Sequence, residues 1–169
     1  MPIYLKLKDD QYEVGGTKHT RKIARAILID QDNKVCLHSI HRDDAFGNQY
    51  YFETPGGGVD EGESFKQALK REIREEVGCE IEIIEYLGQV IDFYNKINRK
   101  NINHFFLARV KSFSSKHFVS EGDLFIQDTK FYEIDEAIRL METQEDFGVS
   151  LLVKNRELPF LKLVKNKLK

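Results

Sequence analysis

The chain has 169 residues, 41% hydrophobic and 32% charged, with a net charge of −2. That length supports one domain with a real core and is short for two, and the charge balance gives no support to general nucleic-acid binding. The only cysteines, Cys36 and Cys79, form no CxxC pair, which points to a reducing cytoplasm; no run approaches the ~20 apolar residues of a membrane span, and the first residues lack a signal-peptide pattern.

Residues 1 to 20 read as a short strand, residues 3 to 7 alternating with polar positions, followed by a turn at Gly15 and Gly16. Residues 21 to 30 and 34 to 40 are apolar runs around Asp30, Gln31, Asp32 and Asn33, which predicts a β-hairpin. Residues 41 to 49 are polar, carry Gly47 and Asn48, and are expected to form a loop; Tyr50, Tyr51 and Phe52 then make a short strand. Pro55, Gly56, Gly57 and Gly58 fit neither a helix interior nor a packed strand, because proline removes a donor and glycine permits close approach to the backbone. Ser64 offers an N-cap and Gly78 a left-handed C-cap, with no helix breaker between them.

Beyond that helix, residues 80 to 94 are rich in isoleucine, and the phase slip at Ile83 and Ile84, followed by Gly88, predicts a bulge. Residues 96 to 101 read as a polar turn, and residues 103 to 110 as a returning strand with Phe106 and Ala108 on one face. Residues 112 to 129 read as a loop, and Phe131 and Tyr132 as a brief strand. Ile134, Ala137, Ile138 and Met141 follow helical spacing, and a further helix is expected from Glu145 to about Arg156, interrupted by Pro159. The sum is an α+β or layered α/β fold, a single domain over residues 1–169 with no repeat or linker.

At about 100° per residue, Glu72, Glu75 and Glu76 share one face of the central helix and border its apolar stripe of Phe65, Leu69, Ile73 and Val77. Like charges so spaced cost a few tenths of a kcal/mol per pair, and partial burial adds to that. A divalent cation reverses the sign, and hard oxygen donors suit Mg²⁺ or Mn²⁺. On charge alone the alternative is a solvated face neutralised by Lys66, Lys70, Arg71 and Arg74.

The spacing decides between them. Gly57 is followed after five residues by Glu63, after seven more by Arg71-Glu72-Ile73, then after one by Glu75-Glu76, and after one by Gly78-Cys79. This resembles the Nudix hydrolase signature, GX5EX7REUXEEXGU with U a bulky apolar residue, over residues 57–79; Cys79 at the last apolar position is the one soft departure. The resemblance implies a Nudix-type α/β/α sandwich with a central mixed β-sheet over roughly residues 20 to 155. It also implies a Mg²⁺-dependent enzyme (Mn²⁺ also suits) that cleaves the diphosphate linkage of a nucleoside diphosphate derivative. Position by position, it makes Glu72, Glu75 and Glu76 the metal ligands and catalytic glutamates, joined by the backbone carbonyl of Gly57, with Glu63 and Arg71 in support.

The family's general base often lies in a loop outside this box and varies in position. Glu121, beside Gly122, is the candidate by location, with Asp123 a rival and a solvated loop acid the plainer reading. Arg25 and Arg42 are the substrate-binding candidates; Arg21, His38 and His41 are further side chains within possible reach of phosphate. Phe46, Tyr50 and Tyr51 either stack on a base or pack in the core. Tyr94 is a near miss for the tyrosine of dinucleoside-polyphosphate members. No proline stands between Pro55 and Pro159, unlike ADP-ribose pyrophosphatases, and the longer downstream signature of NADH pyrophosphatases is absent. The expected partner is a small-molecule nucleotide derivative, with no membrane or nucleic acid and with a homodimer as a family expectation. Lys162, Lys165, Lys167 and Lys169 read as a solvated helix end. A catalytically silent nucleotide-binding regulator and a diphosphate isomerase are the alternatives, and the intact glutamates weigh against both.

Overall fold

The computed structural model of the protein describes residues 1–16, 18–114 and 122–169, Gly122 and Asp123 by backbone only. The strands are β1 (Ile3–Lys6), β2 (His19–Ile29), β3 (Val35–Asp44), β4 (Gly47–Glu53), β5 (Gly56–Gly58), β6 (Cys79–Tyr94), β7 (Arg99–Phe113) and β8 (Ile126–Tyr132). The helices are α1 (Phe65–Glu76), α2 (Ile134–Thr143) and α3 (Gly148–Lys167). The sheet runs β1-β6-β7-β2-β3-β4, with β5 added on β2 and β8 on β3. It is mixed: β1 with β6 and β2 with β7 are parallel, and the other pairs are antiparallel.

Period-two alternation sorts the side chains of β2 to two cores. Ala24, Ala26 and Leu28 face Leu69 and Ile73 of α1. Ile27 and Ile29 face the other way, into a core with Leu37, Phe105, Phe160 and Leu161. Helix α1 therefore covers one face of the sheet and α2 and α3 the other, the expected three-layer α+β arrangement. The bulges expected near Ile83 and Gly88 occur as register shifts between Ile83 and Glu85 and between Tyr86 and Gly88. No described helix is long and apolar enough to cross a membrane.

Four segments differ from the expectations. Residues 41 to 49 are not a loop: β3 continues to Asp44 and returns as β4, pairing His41 with Tyr50 and Arg42 with Gln49. The turn is closed by the Asp44 carboxylate, which accepts from the Phe46 amide at 3.0 Å, and by Gly47 at φ 95°, the left-handed residue that a short hairpin loop needs. Residues 99 to 101 already belong to β7 and pair with residues 19 to 21 of β2; their polar side chains give them the look of a turn, and of the three Arg99 lines the cleft. Within residues 112 to 129, β7 extends to Phe113 and β8 begins at Ile126.

Pro159 does not interrupt the last helix. Helix α3 runs through it to Lys167, and Asn155, whose carbonyl loses its hydrogen bond to the proline, is exposed to solvent. Phe160, Leu161 and Val164 beyond it are fully buried and anchor the continuation. The C-terminal lysines pair along the surface, Lys162 with Glu142 at 2.9 Å and Lys167 with Glu85 at 2.8 Å.

Candidate active site

The glycine turn and α1 are brought together by local chemistry. Strand β5 lies on β2, with Gly58, Gly57 and Gly56 opposite Ile23, Ala24 and Arg25. The N-terminus of α1 carries a capping box: Ser64 Oγ accepts from the Gln67 amide at 3.1 Å, and the Gln67 side chain accepts from the Ser64 amide at 2.8 Å. Gly78, at φ 75°, ends the helix as expected.

The closest approach is at Gly57, where a Cβ would stand 2.3 Å from the carboxyl carbon of Glu72. Only glycine lets the Glu72 carboxylate rest on this turn. Glu72 and Glu76 are 7% and 4% exposed, deeper than a position bordering the stripe implies, and Glu75 is half-buried.

Arg71 fastens the arrangement. Its Nε and Nη2 donate to the Glu63 carboxylate at 2.8 and 2.9 Å, its Nη1 to Glu72 at 2.9 Å, and its Nη2 to the Gly58 carbonyl at 2.8 Å. These hydrogen bonds from Arg71, helped by the Asp60 amide, hold the Glu63 carboxyl down at about 2. Glu76 is held from the sheet side: its Oε2 lies 2.7 Å from His38 Nε2, and His38 Nδ1 lies 2.9 Å from Thr129 Oγ1 of β8.

These residues form one wall of a cleft of about 740 Å³. The same cleft is lined by Arg21, Arg25, Arg42, Arg99 and Arg156. The two substrate-binding candidates are placed differently. Arg25 is buried, donates to the Thr54 carbonyl and pairs with Glu53, both at 2.9 Å, so its guanidinium serves the scaffold. Arg42 lies over the rings of Phe125 and Phe46 at 5.1 and 5.4 Å and donates to Asp44 at 2.7 Å; of the pair it is the one positioned to meet a ligand. Phe46 and Tyr51 are buried, whereas Tyr50 is exposed and stacks on His41. Glu121 lies outside the described residues, as does the side chain of Asp123.

A buried ionic network behind the cleft has no counterpart among the expected site residues. Thr54 donates to Glu157 from its amide at 2.7 Å and from its hydroxyl at 2.6 Å. Arg156 pairs with Glu157 and donates to Glu53 at 3.0 Å and to the Tyr94 hydroxyl at 2.9 Å. Burial pushes the Glu53 carboxyl up, but Arg25 and Arg156 outweigh it and hold it below its ordinary value. The available signal was Arg156-Glu157 between Leu152, Val153 and Phe160, charges at core-facing positions of an apolar helix.

Among the described residues, no three carboxylate, imidazole or thiol groups converge closely enough to hold an ion as they stand, since Arg71 engages Glu72 and His38 engages Glu76. The donor set nevertheless fits a hard divalent cation in kind: three carboxylates on one helix face, beside a glycine carbonyl in a cradle that any Cβ would fill.

The model of the NUDIX domain matches residues 19–152. The RNA pyrophosphohydrolase of Campylobacter jejuni is 35% identical over 128 residues, covering 66% of this chain and 80% of that protein. The RNA pyrophosphohydrolase of Nitratiruptor is 35% identical over 101 residues, 47% of this chain and 65% of that protein. Among solved structures, a NUDIX hydrolase from Nitrosomonas europaea superposes with a TM-score of 0.60 at 23% identity, over 75% of this chain and 81% of its own. The MutT protein of Methanosarcina mazei Go1 gives a TM-score of 0.62 at 16% identity, over 92% of this chain and 99% of its own. With the glycine turn, the capped helix and its glutamates in place, the chain belongs to the NUDIX domain family and is a Nudix hydrolase.

Proposed function

We propose that the protein is a divalent-cation-dependent pyrophosphohydrolase that cleaves the diphosphate linkage of a nucleoside diphosphate derivative. The observation that carries this reading is one cleft lined by the glycine turn, by the three glutamates of one helix face and by several arginines. A diphosphate is too negative to approach Glu72, Glu75 and Glu76 unaided, so these side chains and the Gly57 carbonyl would hold Mg²⁺ or Mn²⁺. When bound, the cation offsets that charge and lowers the pKa of an attacking water.

The chain's own residues position and orient. Arg71 ties the glycine turn to α1, His38 fixes the carboxylate of Glu76, and Arg42, itself held by Asp44, brings positive charge to the cleft. Glu121 is proposed as the general base. Phosphoryl transfer of this kind needs positioning and electrostatics and no protein nucleophile. A reducing cytoplasm suits Cys36 and Cys79, both buried and neither in a disulfide.

The RNA pyrophosphohydrolases at 35% identity support including pyrophosphate-bearing RNA among the candidate substrates. The test is a panel of nucleoside diphosphate compounds and such RNA, with Mg²⁺ or Mn²⁺, reading released phosphate or pyrophosphate. Wild type is expected to turn over at least one compound, and Glu76→Gln to lose 10²-fold or more in rate. Equal inertness of both, with a nucleotide still bound, would instead favour the silent regulator.

A further inference from the structure

The arginines of the cleft have two kinds of surroundings. Arg25, Arg42, Arg71 and Arg156 are each engaged by carboxylates. Arg21 and Arg99 also line the cleft, yet among the described residues neither guanidinium has an ion pair or a hydrogen bond, and the Arg99 Nε is buried without a partner. They sit near the start of neighbouring parallel strands, Arg21 opposite Asn101 and Arg99 opposite His19. The Arg21 guanidinium lies over Gly58, 3.1 Å from where a Cβ there would stand, so it adjoins the turn that bears Gly57. The Arg99 guanidinium lies over the Tyr94 ring, 5.0 Å from its centre.

Beneath this pair the sheet is polar. Asn101 is fully buried, and neither atom of its amide has a partner. Period-two alternation puts it on the same face of β7 as Arg99 and Asn103, and the Asn103 Oδ1 also lacks a hydrogen bond. Buried polar atoms without partners are uncommon, and here they collect under the two unpaired cations. Burial by the cleft walls lowers both guanidinium pKa values first; Arg25 adds to this on Arg21, and Arg21 and Arg156 on Arg99, against the opposing pull of Glu72 and Glu53 on Arg21 and of Tyr94 and Asp92 on Arg99. Like charges in so enclosed a space repel until an anion lies between them.

We propose that Arg21 and Arg99 form a phosphate subsite beside the glutamate centre, holding a phosphate group of the substrate other than the one attacked. The assignment rests on the pyrophosphohydrolase reading. The three oxygens of a terminal phosphate match two guanidinium forks, so tri- and polyphosphate chains gain more from the subsite than a diphosphate capped by a neutral sugar.

The probe is inorganic tripolyphosphate, titrated calorimetrically into the full chain at neutral pH with Ca²⁺ in place of Mg²⁺, a hard cation that offsets the charge of Glu72, Glu75 and Glu76. Arg21→Gln and Arg99→Gln are each expected to weaken binding roughly tenfold or more, and the double variant further. Arg99→Lys retains part of the affinity, because the charge survives and the fork does not. Melting temperatures establish that each variant is folded; if Arg99→Gln is not, Arg21→Gln and Arg99→Lys decide. No binding by wild type, or unchanged affinity in the folded variants, overturns the subsite. Turnover of Glu76→Gln bears only on the hydrolase reading, so the two failures are read from different measurements.

Discussion

Arg71 and Glu63 show how one side-chain pair sets a pH limit on the site. With the Glu63 carboxyl at about 2 in the folded protein against an ordinary value near 4.5, its bond to Arg71 is a depressed-carboxylate case. The stability it contributes is present in full above about pH 4.5 and is lost as pH falls toward 2. Glu63→Gln should therefore melt below wild type at pH 6, with the gap narrowing from about pH 4.5 downward and closing near pH 2. A gap of constant size from pH 6 to pH 3, followed by calorimetry, would exclude the ion pair as its source. The same variant leaves Arg71 with Glu72, Glu75 and Asp60 as its remaining carboxylates, the last two at 3.5 Å.

At the scale of elements, α1 is the one whose signals are all local. The Ser64 cap, the stripe of Leu69 and Ile73, the glutamates three and four residues apart and the terminal Gly78 lie within residues 64 to 78, so the sequence alone places them. Ser64→Ala removes one half of the capping box and should cost about 1 kcal/mol, a fall of about 2–4 °C in melting temperature for a chain of this size. A melt indistinguishable from wild type would mean that the helix end is set by the turn before it. The β3–β4 hairpin is the opposite case: its Arg42 and Asp44 stay polar because one flank meets solvent and the other lines the cleft, and only the pairing with Gln49 and Gly47 reveals the strand. Helix α3 hides its length behind Pro159 for a related reason, since burial of Phe160 and Val164 outweighs one lost backbone bond.

Across the whole molecule, residues far apart in sequence decide where the glycine turn sits. Glu53, Thr54 and Pro55 lead into it from β4, and their partners Arg156 and Glu157 lie on α3, on the other side of the sheet from α1. No local pattern pairs residue 54 with residue 157, which is why the box was legible in the sequence and its support was not. Both chain segments must reach the cleft before Arg25, Arg156, Glu53 and Glu157 can neutralise one another. Such a network stabilises little when complete and costs much when broken. Glu157→Gln keeps an acceptor for Thr54 but removes the charge facing Arg156 and Arg25. Glu53 and Asp92 still stand beside Arg156, so the loss should fall at the low end of breaking a buried pair, about 3 kcal/mol. Against a typical total of about 5–15 kcal/mol, that is a large shift in urea midpoint with little change in slope. Because Thr54 immediately precedes the Pro55 turn, turnover of the folded variant should fall as well, although residue 157 does not line the cleft. A wild-type midpoint would show that Glu53 and Asp92 suffice to hold Arg156; a lowered midpoint with full turnover would show that the turn keeps its place without α3.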